Sequence, residues 1–115
     1  MKRGEVYTAR FDPIEGSEQG GTRPAVIVSR DVINDRSSHV IVVPLTSDHG
    51  RRRLPSHTVV AAGDGGLRNN SVALGEQVRA LSKSRLGRQW GTLSPTTMRE
   101  IDETLRSALA LDGLR

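Results

Sequence analysis

Cysteine is absent from the chain, which excludes disulfides and thiolate–zinc sites; a reducing compartment suits such a protein without being required by it. Aromatic residues are nearly absent too. Only Tyr7, Phe11 and Trp90 occur, too few for the stacking platforms that many single-strand binders use. A chain this poor in rings would read bases mainly through hydrogen bonds to their edges. No apolar run approaches the length that spans a bilayer, and no N-terminal stretch resembles a signal peptide, so a soluble cytoplasmic protein with no membrane association is expected. No Gly-x-Ser-x-Gly elbow occurs, and the glycine-rich stretch lacks the lysine of a phosphate loop. His39, His49 and His57 have no closely spaced ligand partners, so surface or structural roles are expected for them and no metal site.

What is present is enough for one compact domain, expected to span 1–115. The formal charge of +4 and sequence pI near 10.6 favour an anionic partner, of which nucleic acid is the commonest. The excess is modest, and many soluble proteins carry as much.

One stretch organises the rest. Gly16, Gly20 and Gly21 lie among Ser17, Glu18, Gln19 and Thr22, and Arg23-Pro24 then opens a run of strand formers, Ala25 to Ser29. Glycine admits close backbone approach to a ligand, and the polar residues between cannot feed a core. Arg23, rooted where a loop meets a strand, is well placed to hold an anion; composition alone favours the blander reading, a solvated hairpin loop whose arginine merely covers the strand end.

Along the chain, residues 4–11 read as a first strand ended by Asp12-Pro13, and Ala25 to Ser29 as a second, buried on both faces. Residues 30–36 suit a short helical turn. His39 to Leu45 reads as a third strand, which Pro44 pushes toward a sheet edge or a strand end. A strand resumes near His57 to Ala61, and Gly63 to Gly66 reads as a flexible turn. Ser71 to Leu81 reads as a strand or bent strand pair, with Gly75 at the bend. Ser84 to Gly87 suits a single helical turn. The clearest element is the last: Ser94 as N-cap, Pro95 at the first helical position, and Met98, Ile101, Leu105, Ala108 and Leu109 on one face expected to pack on the chain's own strands. Short strands with polar turns and one closing helix predict a mainly β, small antiparallel barrel rather than a βαβ sheet.

The chemistry then rests on Arg23 and Thr46. If their strands are antiparallel neighbours, the two ends meet, and a guanidinium fork with a hydroxyl suits a phosphodiester passing through a doubly charged transition state. Arg51, Arg52 and Arg53, with Arg79, Lys83, Arg85 and Arg88, would track the rest of a nucleic-acid backbone. The residues alone leave open whether Thr46 merely ends a strand and the basic residues form a solvated face.

Gly4-Glu5-Val6-Tyr7 and the string from Gly16 to Ser29, with its Gly-Ser-Glu-Gln-Gly-Gly-Thr-Arg-Pro, closely resemble the MazF/PemK family of toxin endoribonucleases. The likeness continues through Val42 to Ser47, Leu54 to His57, Leu74 to Arg79, Ser84-Arg85-Leu86 and Ser107 to Leu111. It implies an SH3-like barrel of the CcdB/MazF type forming a homodimer, with an RNA groove near the subunit interface. It implies cofactor-free and metal-independent, sequence-selective cutting of single-stranded RNA, leaving a 2′,3′-cyclic phosphate and a 5′-hydroxyl. It also implies an antitoxin whose acidic, disordered segment fills the same groove.

Arg23 and Thr46 stand where the family's catalytic arginine and threonine stand. A guanidinium stays protonated near neutral pH, so charge stabilisation is expected of Arg23 rather than proton transfer. Glu18 is the speculative acceptor of the 2′-proton. Ser17, Gln19, Thr22, Ser47, Arg51, Arg52, Arg53, Glu76, Gln77 and Arg79 are the expected RNA contacts. Two alternatives remain at this stage: a gyrase poison of the CcdB type, disfavoured because Trp90 precedes the last helix rather than lying at the C-terminus, and a non-catalytic RNA-binding module.

Overall fold

The computed structural model describes every residue except Ile14, Ser17, Gln19, His49, Arg51, Arg52 and residues 112–115. Seven strands form the framework: β1 (Glu5–Arg10), β2 (Thr22–Ile27), β3 (His39–Ser47), β4 (His57–Val60), β5 (Ser71–Leu74), β6 (Arg79–Ser82) and β7 (Leu86–Thr92). Two α-helices, α1 (Asp31–Arg36) and α2 (Pro95–Ala108), and 3-10 turns at Asp64–Gly66, Gly75–Gln77 and Lys83–Arg85 complete it.

All pairings are antiparallel. The strand order is β4-β5-β3-β2-β1-β7, with β6 beside the first half of β3. Strands β6 and β7 therefore lie at opposite ends of the set β6-β3-β2-β1-β7, yet only the turn Lys83–Arg85 joins them. Flat strands spaced about 4.8 Å apart would separate those ends by roughly 19 Å. A 3-10 turn of that length covers only about 8 Å. The sheet must curl, and the covalent link stands in for the closing hydrogen bonds. The result is an SH3-like barrel left partly open.

Burial follows from that curl. Ala25, Val26 and Ile27 are all 0% exposed, because successive side chains of β2 enter two different cores. Val26 joins Val6, Val43, Leu45, Met98 and Ile101 beneath α2. Ala25 and Ile27 join Phe11, Val40, Val42 and Leu81 on the other side. Helix α2 begins as expected: Ser94 is extended, its Oγ accepts from the Thr97 amide at 3.3 Å, and Pro95 follows. Its stripe is used only in part. Met98 and Ile101 are buried, whereas Leu109 is half exposed and Ala108 is exposed.

Two expectations are corrected, and one strand was not anticipated. Pro44 lies inside the central strand, opposite Ala25. The Ile41 carbonyl accepts from the Val28 amide on the β2 side, so alternation turns the polar groups of Pro44 the other way. That side is the break where β6 ends opposite Val42 and β5 begins opposite Leu45, and the missing N–H removes no ladder bond. The glycine-rich turn at 63–66 is not a loose loop: Asp64 accepts from the Ser94 amide at the start of α2, and Gly65 is buried against Val6 and Leu93. Strand β7 had no sequence signal, since Leu-Gly-Arg-Gln-Trp-Gly-Thr shows no alternation; its pairing with β1 makes it a strand. Among the described residues no helix is long and apolar enough to cross a membrane.

Candidate active site

Antiparallel pairing of β2 with β3 brings Arg23 to Thr46. The register sets Ala25 opposite Pro44, so the residues two places before and two places after meet across the same ladder. Arg23 donates from Nε to the Gly20 carbonyl at 2.9 Å and from a terminal nitrogen to Thr46 Oγ1 at 3.2 Å. The first contact anchors the guanidinium to the end of the glycine loop; the second fixes its direction. Because Thr46 accepts in this contact, its own hydroxyl proton remains to be donated elsewhere, as do the other guanidinium N–H groups. Unused donors of both groups are thus held close to one point, as an anion requires.

The point lies in a hollow of about 380 Å³ that runs across five adjacent strands. It is lined by Trp90 of β7, Thr8 of β1, Thr22, Arg23 and Pro24 of β2, Leu45, Thr46 and Ser47 of β3, and Ser71 of β5, with Leu67, Arg68 and Asn69 from the segment before β5. Thr22 and Ser47, expected as RNA contacts, are therefore at this site. Thr8, Arg68, Asn69, Ser71 and Trp90 are the members that sequence reasoning missed. Nothing local marks them: pairing of Ser47 with Ser71, and the bond from the Asp48 amide to the Asn70 carbonyl at 2.9 Å, carry residues 67–70 to the end of β3.

A second hollow, of about 500 Å³, collects another group of expected residues: Glu18, Glu76, Gln77 and Arg79, beside Phe11, Pro13 and Pro44. Glu18 is not brought to Arg23; its carboxylate accepts from the Glu15 amide at 2.9 Å. Glu76 accepts from Ser56 Oγ at 2.8 Å and contacts His57 Nε2 at 3.0 Å. Burial pushes its carboxyl up, but these bonds and its own backbone amide outweigh that and hold it below the usual range. Arg79 lies over the Phe11 ring at 5.7 Å.

Three more of the basic residues expected along a backbone track are engaged within the protein. Arg53 pairs with Asp48, Arg85 donates to the carbonyls of Arg10 and Asp12, and Arg88 sits over the Trp90 ring at 5.5 Å. Ser17, Gln19, Arg51 and Arg52 lie outside the described residues. Among the described residues no three His, Cys, Asp or Glu side chains group as a metal site needs.

A partly open antiparallel barrel that sets an anchored guanidinium beside a hydroxyl in one hollow defines a small SH3-like β protein with a polar, cationic site. The chain belongs to the family of PemK-like, MazF-like toxins of type II toxin–antitoxin systems, whose model matches residues 2–109. It is 38% identical over 115 residues to endoribonuclease MazF of Staphylococcus saprophyticus, covering all of this chain and 96% of that one. Among solved structures it resembles a mycobacterial endoribonuclease in complex with its cognate antitoxin, with 29% identity, a TM-score of 0.81 and 96% of each chain covered. It also resembles MazF from Deinococcus radiodurans, with 27% identity, a TM-score of 0.82 and the same 96% coverage of each.

Proposed function

We propose that the chain is a toxin endoribonuclease that cuts single-stranded RNA, mRNA above all, in the cytoplasm, and so arrests translation and growth. The observation that carries the reading is the Arg23–Thr46 contact at 3.2 Å with donors left over on both groups. The RNA supplies its own nucleophile. The ribose 2′-oxygen attacks the adjacent phosphorus and gives up its proton to solvent, the bond to the 5′-oxygen breaks, and that oxygen takes a proton from solvent, leaving a 2′,3′-cyclic phosphate and a 5′-hydroxyl. The protein then has to orient the phosphodiester and bear its developing charge. Arg23 takes the non-bridging oxygens, and the Thr46 hydroxyl donates to one of them.

The homodimer and the acidic antitoxin segment belong to the same reading. A carboxylate-rich peptide would meet the donors that otherwise take phosphate, so one surface serves substrate and inhibitor. The test is cleavage of a panel of single-stranded RNAs in EDTA by the wild-type chain and by Arg23→Ala. Cleavage by the first and none by the second, with matching circular dichroism, supports the reading. Equal cleavage by both, or none by the wild type, overturns it.

A further inference from the structure

The hollow holding Arg23 and Thr46 contains more polar chemistry than phosphoryl transfer uses. Arg68 is exposed at its rim with no ion pair or hydrogen bond among the described residues. Asn69 lines it too; its backbone carbonyl accepts from Ser71 Oγ at 3.0 Å, while its side-chain amide has no hydrogen bond among the described residues. Trp90 forms a wall from β7. Its Nε1 donates to Thr8 Oγ1 at 2.7 Å, and the Arg88 guanidinium covers the ring from 5.5 Å. The indole is thus pinned from two directions, although β7 carries no other aromatic residue.

The geometry points to a nucleotide subsite beside the cleaved bond: Arg68 takes the neighbouring phosphate, the Asn69 amide reads the base edge, and Trp90 is the flat apolar wall on which that base rests. A carboxamide offers a donor beside an acceptor, the pattern that matches a base edge, and an aromatic wall accepts any base face. An acidic peptide would satisfy Arg68 but would leave the Asn69 amide without a matching edge. The volume of about 380 Å³ lies in the range of small-ligand sites. The inference rests on the RNA-cleaving reading and deepens it, by assigning part of the cut-site preference to residues 68, 69 and 90.

The test compares wild type, Arg68→Ala, Asn69→Ala and the charge-matched control Arg99→Ala, whose side chain lies on α2 outside the hollow. Each cuts an RNA pool randomised around the scissile bond; product 5′ ends are sequenced, and KM and kcat are measured at several salt concentrations. Arg68→Ala is expected to raise KM roughly tenfold with kcat nearly kept, and to reduce the salt slope of log KM by about 0.7. Asn69→Ala is expected to broaden the preference at one position next to the cut, with an unchanged melting curve. Arg99→Ala should change neither. Wild-type cleavage that is lost in Arg23→Ala, together with an unaltered cut-site profile in Asn69→Ala and a KM in Arg68→Ala equal to that of Arg99→Ala, overturns the subsite alone. Absence of wild-type cleavage overturns the RNA-cleaving reading and the subsite with it.

Discussion

The guanidinium of Arg23 is held from behind by the carbonyl of Gly20, 2.9 Å from Nε, while a terminal nitrogen reaches Thr46. Two fixed contacts need a planar fork, which an ammonium cannot reproduce. Arg23→Lys is therefore expected to behave nearly as Arg23→Ala. Both should lower single-turnover RNA cleavage by about a hundredfold or more with unchanged circular dichroism. A lysine variant within a few-fold of wild type would show that charge alone suffices.

Thr46 offers a hydroxyl, and its methyl group is incidental to that. Thr46→Ser should keep most of the single-turnover rate, and Thr46→Val should lose on the order of a hundredfold. Equal rates in the two variants would remove the hydroxyl from the chemistry.

Glu18 faces the second hollow and accepts from the Glu15 amide. Glu18→Gln should leave the single-turnover rate at saturating RNA within about twofold, since loss of a general base costs about a hundredfold or more. A loss of that size would make Glu18 the acceptor of the 2′-proton after all.

Asp64 ties the turn at 64–66 to the start of α2 by accepting from the Ser94 amide at 2.8 Å, the Ser94 hydroxyl at 3.2 Å and the Thr97 hydroxyl. Burial raises its pKa, but the bonds from Thr97, Ser94 and the Gly65 amide prevail and depress it below the ordinary aspartate value. A depressed carboxyl stabilises the fold at pH above its unfolded pKa, and that contribution disappears as the pH falls through the folded value. Asp64→Asn should thus cost about 1–2 kcal/mol at neutral pH, as loss of a charged hydrogen-bond acceptor does. Its thermal midpoint should approach that of wild type as the pH falls below the ordinary aspartate range. A constant gap between the two melting curves from pH 7 to pH 2 would contradict this.

Gly66 has φ +79°, and a Cβ there would stand 2.2 Å from the Trp90 carbonyl oxygen. Gly63, at φ +96°, has nothing within 4 Å of the same position. Gly63→Ala should cost only the backbone strain, about 1–3 kcal/mol. Gly66→Ala adds displacement of β7 and should cost clearly more, read from urea midpoints. Equal midpoints would mean that β7 yields freely.

Local chemistry made much of this protein legible. The start of α2 follows from Ser94-Pro95 alone, because capping is settled within a few residues. Ala25-Val26-Ile27 announced burial on both faces, since no alternation was possible. The glycine string and the two catalytic candidates were recognisable because their family pattern is contiguous. Pro44 misled, as did Gly63 to Gly66: each residue type states a backbone preference, but only neighbouring strands decide whether a missing N–H or a positive φ is used inside the fold.

By itself, then, the sequence determined the run of elements apart from β7, the entry of the last helix, and an arginine and a threonine as the pair to watch. Tertiary structure alone decided that the two donors share a hollow with Thr8, Arg68, Asn69 and Trp90, while Glu18 and Glu76 line another. The reason is physical. Capping and turn chemistry act over a few residues, whereas cross-strand neighbours are chosen by register and by the curl that a three-residue turn between β6 and β7 imposes on the whole sheet.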